Sequence, residues 1–197
     1  MHSEIPPEEL PRVVLVTPRE SDADFLARLN SPDVAGEFDT FDDPADDFLD
    51  AQSYAGDKRI VQTTDATRVG SVSWIQVPYG PNVRSLAWSI GLTIHPDFRG
   101  RRLGAAAQRH LAEMLFEGSD ANRVQADTDV DNVAEQRSLV RAGFTREGVA
   151  RQAQWRQGRW HDRVVYSIVR SEALVAKKIR HDDGAGATTR AEKGTSS

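Results

Sequence analysis

The alternation and clustering of apolar residues predict a regular succession of short elements. Val13–Val16 reads as a first strand closed by Thr17-Pro18, and Ser21 is placed to cap a helix through Leu29, with Phe25, Leu26 and Leu29 on one face. After an acidic stretch, Ala45–Tyr54 predicts a short helix. Arg59–Thr63 and Arg68–Val77 read as strands around a turn at Thr64-Asp65-Ala66; Tyr79-Gly80-Pro81-Asn82 is a further turn, and Leu86–Ile94 a fourth strand. Arg123–Thr128 is the fifth strand, Ala134–Ala142 a helix closed by Gly143, and Phe144–Gln152 and Arg163–Val169 the last two strands. Helices mixed with strands of one mainly antiparallel sheet make an α+β fold. No internal repeat is visible. After Arg180 the chain reads HDDGAGATTRAEKGTSS, with almost no large apolar residue, and predicts disorder.

Residues 94–116, IHPDFRGRRLGAAAQRHLAEMLF, carry the most chemistry. The strand stops at His95-Pro96, and a cationic loop, Arg99-Gly100-Arg101-Arg102-Leu103-Gly104-Ala105, opens directly into a helix. Leu103, Ala106, Ala107, Leu111, Met114 and Leu115 mark that helix by their single-face spacing. A strand delivering a Gly-containing basic loop to a helix N-terminus makes an anion site. The first-turn N–H groups have no intrahelical partner, and the macrodipole adds roughly half a positive charge. Glycine admits close approach of a ligand to backbone, and arginine supplies charge-assisted hydrogen bonds, so a pyrophosphate fits. Two other phosphate loops are excluded: no Gly-Lys-Ser/Thr is present, nor the three spaced glycines of a dinucleotide fingerprint.

This segment resembles the acetyl-CoA loop of the GNAT superfamily of N-acetyltransferases, Arg/Gln-x-x-Gly-x-Gly/Ala. Arg99 and Gly104 fall on its first and last positions, while Arg102 replaces the middle glycine. Downstream, Asn132, Arg137, Gly143-Phe144, Glu147-Gly148, Arg151, Gly158 and Asp162 follow the pattern of the RimJ/RimL branch. That branch includes ribosomal-protein N-terminal acetyltransferases and many small-amine acetyltransferases. The resemblance spans about residues 12–170. It implies a mixed, mainly antiparallel sheet of about seven strands flanked by about four helices. Residues 1–11 and 171–197 become extensions of one N-acetyltransferase domain, residues 12–170. It also implies acetyl-CoA as co-substrate and direct transfer to an amine, either a peptide N-terminus or a small cationic molecule. Leu92, Thr93, Ile94, Asn132 and Arg137 then join the loop in holding the donor.

Composition narrows the reading. A chain of 197 residues with 39% hydrophobic content supports one good core. The absence of cysteine excludes disulfides, thiolate catalysis and cysteine-held zinc. No apolar run approaches the ~18 residues of a membrane span, and Met1–Leu10 has no signal-peptide core, so a soluble cytoplasmic protein is expected, without nucleic-acid or membrane partners and with a homodimer left open. Asp127, Asp129 and Asp131 open like a calcium loop, but Asn132 stands where glycine is required and Ser138 where glutamate is, so no metal is expected. Histidines form no ligand cluster in the sequence: His95 reads as loop packing, and His110 and His161 as isolated. Trp155, Trp160 and Tyr166 read as packing for the last strands, Trp88 as a candidate lining for an acceptor slot, and Arg123 and Arg141 as solvated charge.

Seven acids and no lysine or arginine lie between Glu37 and Asp50, while the whole chain carries −5, so the remainder is net cationic. Acid near an acceptor entrance would attract a cationic amine; the alternative is a solvated loop. The attacking amine must be neutral. A lysine-like amine is neutral to the order of one part in a thousand at pH 7, an α-amine to the order of a tenth, so a water relay to a carboxylate suffices for the latter. Glu37, Asp39 and Ser89 are the candidates for that relay. The oxyanion calls for a backbone N–H near Leu92, Thr93 and Ile94, which would also pair with the pantetheine arm like an added strand. Within the resemblance, Leu139 replaces the tyrosine that other branches use to protonate the thiolate, and Glu135 replaces a serine that can assist it. A non-catalytic acyl-CoA-binding module that docks a basic protein is the alternative reading.

Overall fold

The computed structural model describes residues 10–38 and 56–173. The helix expected over Ala45–Tyr54, Asp39 with most of the acidic stretch, and the tail after Arg180 lie outside the described residues. Seven strands form one sheet: β1 (Val13–Val16), β2 (Gly56–Thr63), β3 (Arg68–Pro78), β4 (Leu86–Ile94), β5 (Arg123–Asp129), β6 (Thr145–Arg156) and β7 (Arg159–Val169). Their order is β1-β2-β3-β4-β5-β7-β6, antiparallel throughout except for the β4–β5 pair. The helices are α1 (Ala23–Leu29), α2 (Pro32–Ala35), α3 (Leu103–Gly118) and α4 (Val133–Ala142). The seven-stranded, mainly antiparallel sheet with helices packed against it is the expected α+β fold. No helix among the described residues is long and apolar enough to cross a membrane.

Alternation explains the core. On β5, Val124, Ala126 and Thr128 are buried, whereas Arg123, Gln125 and Asp127 face the other way. The buried set packs under α3, whose Leu103, Ala106, Ala107, Leu111 and Leu115 lie at or below 6% exposure. Leu139, Ala142, Phe144, Val164 and Ile168 complete the same cluster. Trp88 belongs to this packing, its Nε1–H donating to Ser119 Oγ at 3.1 Å, and it does not line the cleft between β4 and β5.

Local differences from expectation have local causes. Ser21 caps no helix: residues Glu20–Asp22 form a 3-10 turn, and α1 starts at Ala23. Asp22 is buried there, taking the Arg19 N–H at 2.8 Å and an ion pair with Arg68 at 2.6 Å. Both last strands run longer than polarity suggested. Gln157 and Gly158 adopt φ of 52° and 70°, the tight two-residue turn that matches strand twist, so pairing extends to Arg156↔Arg159. A register shift between Ala150 and Gln154, with Gln152 at φ 50°, breaks the alternation that would have revealed this. Trp155 and Trp160 pair edge to face at 5.4 Å across the hairpin and remain 43% and 57% exposed.

Candidate active site

The sheet opens where its one parallel pair comes apart. β4 and β5 are in register only at Trp88↔Val124 and Ser89↔Gln125, yet β4 continues to Ile94 and β5 to Asp129. A cleft of about 830 Å³ occupies the divergence. Its walls are the far end of β4, the loop into α3, the first turns of α4, the end of β5 and residues 35–38. His95 N–H donates to Val69 O, so strand alternation turns Gly91 and Thr93 toward β3 and the amides of Ile90, Leu92 and Ile94 toward the departed β5. Of the three predicted backbone positions, Leu92 and Ile94 thus face the gap, and Thr93 does not. A second cavity, about 120 Å³, lies under α1 between Asn30, Lys58, Ser71 and Ser73, and shares Gly91, Leu92 and Thr93 with the cleft.

The predicted anion loop forms one end. Arg102 takes the left-handed conformation (φ 61°) as N-cap of α3, and Ala106 is the first residue to return a bond to it, donating to Arg102 O at 3.1 Å. The N–H groups of Leu103, Gly104 and Ala105 therefore have no intrahelical acceptor. Gly104 is needed for space: a Cβ there would lie 3.0 Å from Leu92 Cδ2 and 3.2 Å from Ser138 Oγ. Arg99, Gly100, Arg102, Leu103, Gly104 and Ala105 all line the cleft. Arg101 does not; its guanidinium covers the Phe98 ring at 5.4 Å. Arg99 is largely committed elsewhere, donating through Nε to Ile94 O at 3.0 Å and through Nη2 to Val34 O.

From α4, Asn132 Oδ1 accepts the Glu135 N–H at 3.2 Å and caps the helix, while Arg137 lines the cleft with no hydrogen bond or ion pair among the described residues. Glu135 also lines it, but its carboxylate accepts from Gln108 Nε2, and Gln108 Oε1 accepts from Ser138 Oγ at 2.9 Å. Gln108 is 1% exposed, which is tolerable because both ends of its amide are satisfied. Leu139, at the family's tyrosine position, is fully buried in the core.

Two carboxylates also line the cleft. Glu37 lines the cleft as expected. Ser89 does not line it, lying back in the paired part of β4. Asp127 lines it without having been expected to, its Oδ2 accepting from Arg163 Nε at 2.7 Å, while Arg163 Nη2 and Nη1 hold Asp127 O and Gln154 Oε1 at 2.9 and 3.0 Å. Asp129, two residues on, is buried instead. Burial alone would raise its pKa, but the Asp131 N–H, the Arg156 hydrogen bond and the charges of Arg156 and His161 outweigh it and hold the carboxyl below its usual value. Arg123, expected as solvated, is bidentate to Glu147 at 2.5 and 2.6 Å and covers the Tyr79 ring. That contact, with Ser167 Oγ donating to the same carboxylate, lowers the Glu147 pKa.

Comparison with known proteins agrees with this geometry. Residues 12–145 match the family model described as an acetyltransferase (GNAT) domain. Over 83 residues the chain is 36% identical to YdaF of Bacillus subtilis (strain 168), named as a candidate ribosomal N-acetyltransferase; the match covers 42% of this chain and 45% of YdaF. The chain thus spans less than two thirds of the length of the curated relatives it matches. Mycobacterium smegmatis RimJ in complex with CoA-disulfide is similar with a TM-score of 0.66 at 19% identity, over 84% of this chain and 89% of that one. Spermidine N-acetyltransferase from Vibrio cholerae, in complex with CoA and spermine, is similar with a TM-score of 0.65 at 17% identity, over 82% and 98%. At these identities the structural likeness is one of fold.

Proposed function

Because the chain belongs to the acetyltransferase (GNAT) domain family, we propose that it is an acetyl-CoA-dependent N-acetyltransferase of the RimJ/RimL type that transfers acetyl directly to a primary amine. The carrying observation is the β4–β5 divergence, which opens a cleft lined both by the start of α3 and by the carboxylates of Glu37 and Asp127. The pyrophosphate of the donor fits the amides of Leu103–Ala105, with Arg102 and Arg137 as cations. The pantetheine arm lies along β4, where the outward amides of Leu92 and Ile94 replace the lost β5 pairing. Leu92 N–H then faces the thioester carbonyl and stabilises the oxyanion as nitrogen attacks.

The nitrogen sheds its proton through water to Glu37 or Asp127, the carbon–sulfur bond breaks, and the thiolate takes up a proton. Ser138 gives its hydroxyl proton to Gln108 Oε1, and Gln108 in turn donates to Glu135, so the thiolate's proton comes from water. Cationic acceptors are favoured because the acceptor end carries Glu37 and Asp127, and because one similar structure holds spermine. A peptide α-amine is supported by the YdaF and RimJ likenesses. We place the reaction in the cytoplasm, where acetyl-CoA and both acceptor types occur.

The test is coenzyme A release with peptides bearing free N-termini, aminoglycosides and polyamines side by side. Turnover with one class and acetylated product by mass spectrometry is the expected result. Acetyl-CoA binding without release for any amine would sink the transferase reading in favour of a binding module.

A further inference from the structure

Arg156 ends β6 and points inward, 3% exposed, into a cluster that no part of the acetyl-transfer scheme uses. Its Nη2 donates to Asp129 Oδ2 at 2.7 Å and lies 3.0 Å from His161 Nδ1. His161 Nε2 donates to Arg156 O at 3.2 Å, and its Nδ1 lies 3.2 Å from the same Asp129 Oδ2. Asp129, Arg156 and His161 are 1%, 3% and 8% exposed, so the ion pair is fully desolvated. A buried pair of this kind is seldom a net gain over apolar packing of similar volume. The Nε–H of Arg156 has no hydrogen-bond partner among the described residues, a further cost. Stability alone is therefore a poor reason for the arrangement.

What the cluster does accomplish is to reach across the fold. Arg156 Nη1 donates to Phe38 O, and its guanidinium sits over the Phe38 ring at 5.7 Å. The next residue, Gln157, donates through Nε2 to Glu37 O at 3.2 Å. Both carbonyls belong to the cleft wall at residues 35–38, and Arg99 holds Val34 O just before it. Two successive residues of the β6–β7 hairpin thus grip two successive carbonyls that are about 120 positions away in sequence. Arginine suits the task because its planar fork serves Asp129 and Phe38 O at once, which a lysine head cannot.

We propose that Arg156, braced by Asp129 and His161 and assisted by Gln157, is a positioning residue that sets the Glu37–Phe38 wall and so governs how the acceptor amine is presented. The inference deepens the acetyl-transfer reading and rests on it for its kinetic consequence. Arg156 does not line the cleft; it acts through the backbone that carries the Glu37 carboxylate and the Phe38 ring.

Two single variants of the full chain separate holding the wall from holding the fold. Arg156→Lys keeps a positive charge against Asp129 but loses the second contact. Gln157→Asn keeps a side chain that tolerates the left-handed φ of 52° but is one methylene too short for Glu37 O. The first readout needs no acceptor: cleavage after Glu37 by a glutamate-specific protease, located by mass spectrometry. It should quicken about three- to tenfold in each variant, the scale of one net hydrogen bond. Acetyl-CoA affinity by calorimetry should stay within about twofold, because no donor-binding group is altered. The acceptor KM, measured with spermine and with a free-N-terminus peptide, should rise by a factor like that of cleavage. Cleavage at the parent's rate in both variants, or a rise that merely tracks a falling melting temperature, overturns the positioning role. If neither amine is turned over by the parent, the transferase reading suffers, and the cleavage arm still decides whether the wall is held.

Discussion

Gly104 offers the most direct test of the donor end. An ordinary carbon–carbon contact is about 3.5–4.0 Å, whereas a Cβ at Gly104 would stand 3.0 Å from Leu92 Cδ2 and 3.2 Å from Ser138 Oγ. Gly104→Ala must therefore displace Leu92, Ser138 or the first turn of α3 by some tenths of an ångström. Helix propensity favours alanine by up to about 1 kcal/mol, and overpacking opposes it by about 1–3 kcal/mol. The sum is a loss of about 0–3 kcal/mol, or up to about 12 °C in melting temperature for a domain of this size. Gly104→Glu adds a carboxylate to a helix start, which by itself stabilises the helix by about 0.3–1 kcal/mol. The same charge opposes a bound pyrophosphate. Acetyl-CoA affinity should fall roughly tenfold for alanine and about a hundredfold for glutamate, the latter matching the loss of one or two charged hydrogen bonds. Stability should fall no further from alanine to glutamate while affinity does, a divergence that general damage would not produce. Calorimetry with acetyl-CoA at low salt, alongside thermal melts, reads both. A glutamate variant binding within about threefold of the parent would refute the anion site.

The buried pair supplies a stability test: Asp129→Asn leaves the Arg156 charge without its counter-ion and should cost about 3–5 kcal/mol, or roughly 6–20 °C in melting temperature. Because the Asp129 carboxyl titrates below its unfolded value, its stabilisation is complete above about pH 4 and is lost as pH falls through the folded value. The variant's acid limb should accordingly be flatter in urea midpoints taken between about pH 2 and pH 6, and parallel limbs would disprove the assignment. Arg102→Gly relieves a left-handed φ of 61°, offsetting the greater freedom of glycine in the unfolded chain. Its melting temperature should hardly move, and acetyl-CoA affinity should weaken at most about fivefold, the upper range for one exposed charge. A loss of two orders of magnitude in a titration would make Arg102 indispensable instead.

Elements were legible in the sequence wherever one face is apolar and the other is not. The ends of β3 and β4 and the closure of α4 at Gly143 fall within a residue or so of expectation. The basic loop opening into α3 was legible for a similar reason, since glycine, arginine and a following apolar stripe act through neighbouring backbone. Reading failed where a polar residue's partner lies far along the chain. Arg123 looks like solvated charge until Glu147, 24 positions on, is brought to 2.5 Å. His161 looks isolated until the hairpin turn folds it against Asp129. Gln108 sits on the apolar face of α3 and gave no warning that Glu135 and Ser138 would satisfy it.

The three acids that imitate a calcium loop show why spacing could not have resolved the acceptor end. Alternation along a strand puts Asp127 and Asp129 on one face of β5, so residue type and periodicity make them equivalent. Their difference comes from β7 and β6, which pair beyond β5. Arg163 meets Asp127 at the rim of the cleft and leaves its side chain 39% exposed, while Arg156 and His161 close over Asp129 and leave its side chain buried. Asp131, past the strand end, gives its N–H to Asp129 Oδ1 at 2.9 Å and so serves the buried acid. One of the three thus lines the cleft, one is buried beside its wall, and one caps the buried acid. The divergence of β4 from β5 gives that division its consequence. Had the parallel pairing continued past Ser89, Asp127 would be one more charge on a closed sheet face. The chemistry of this chain is set less by which carboxylates it carries than by where its sheet stops being continuous.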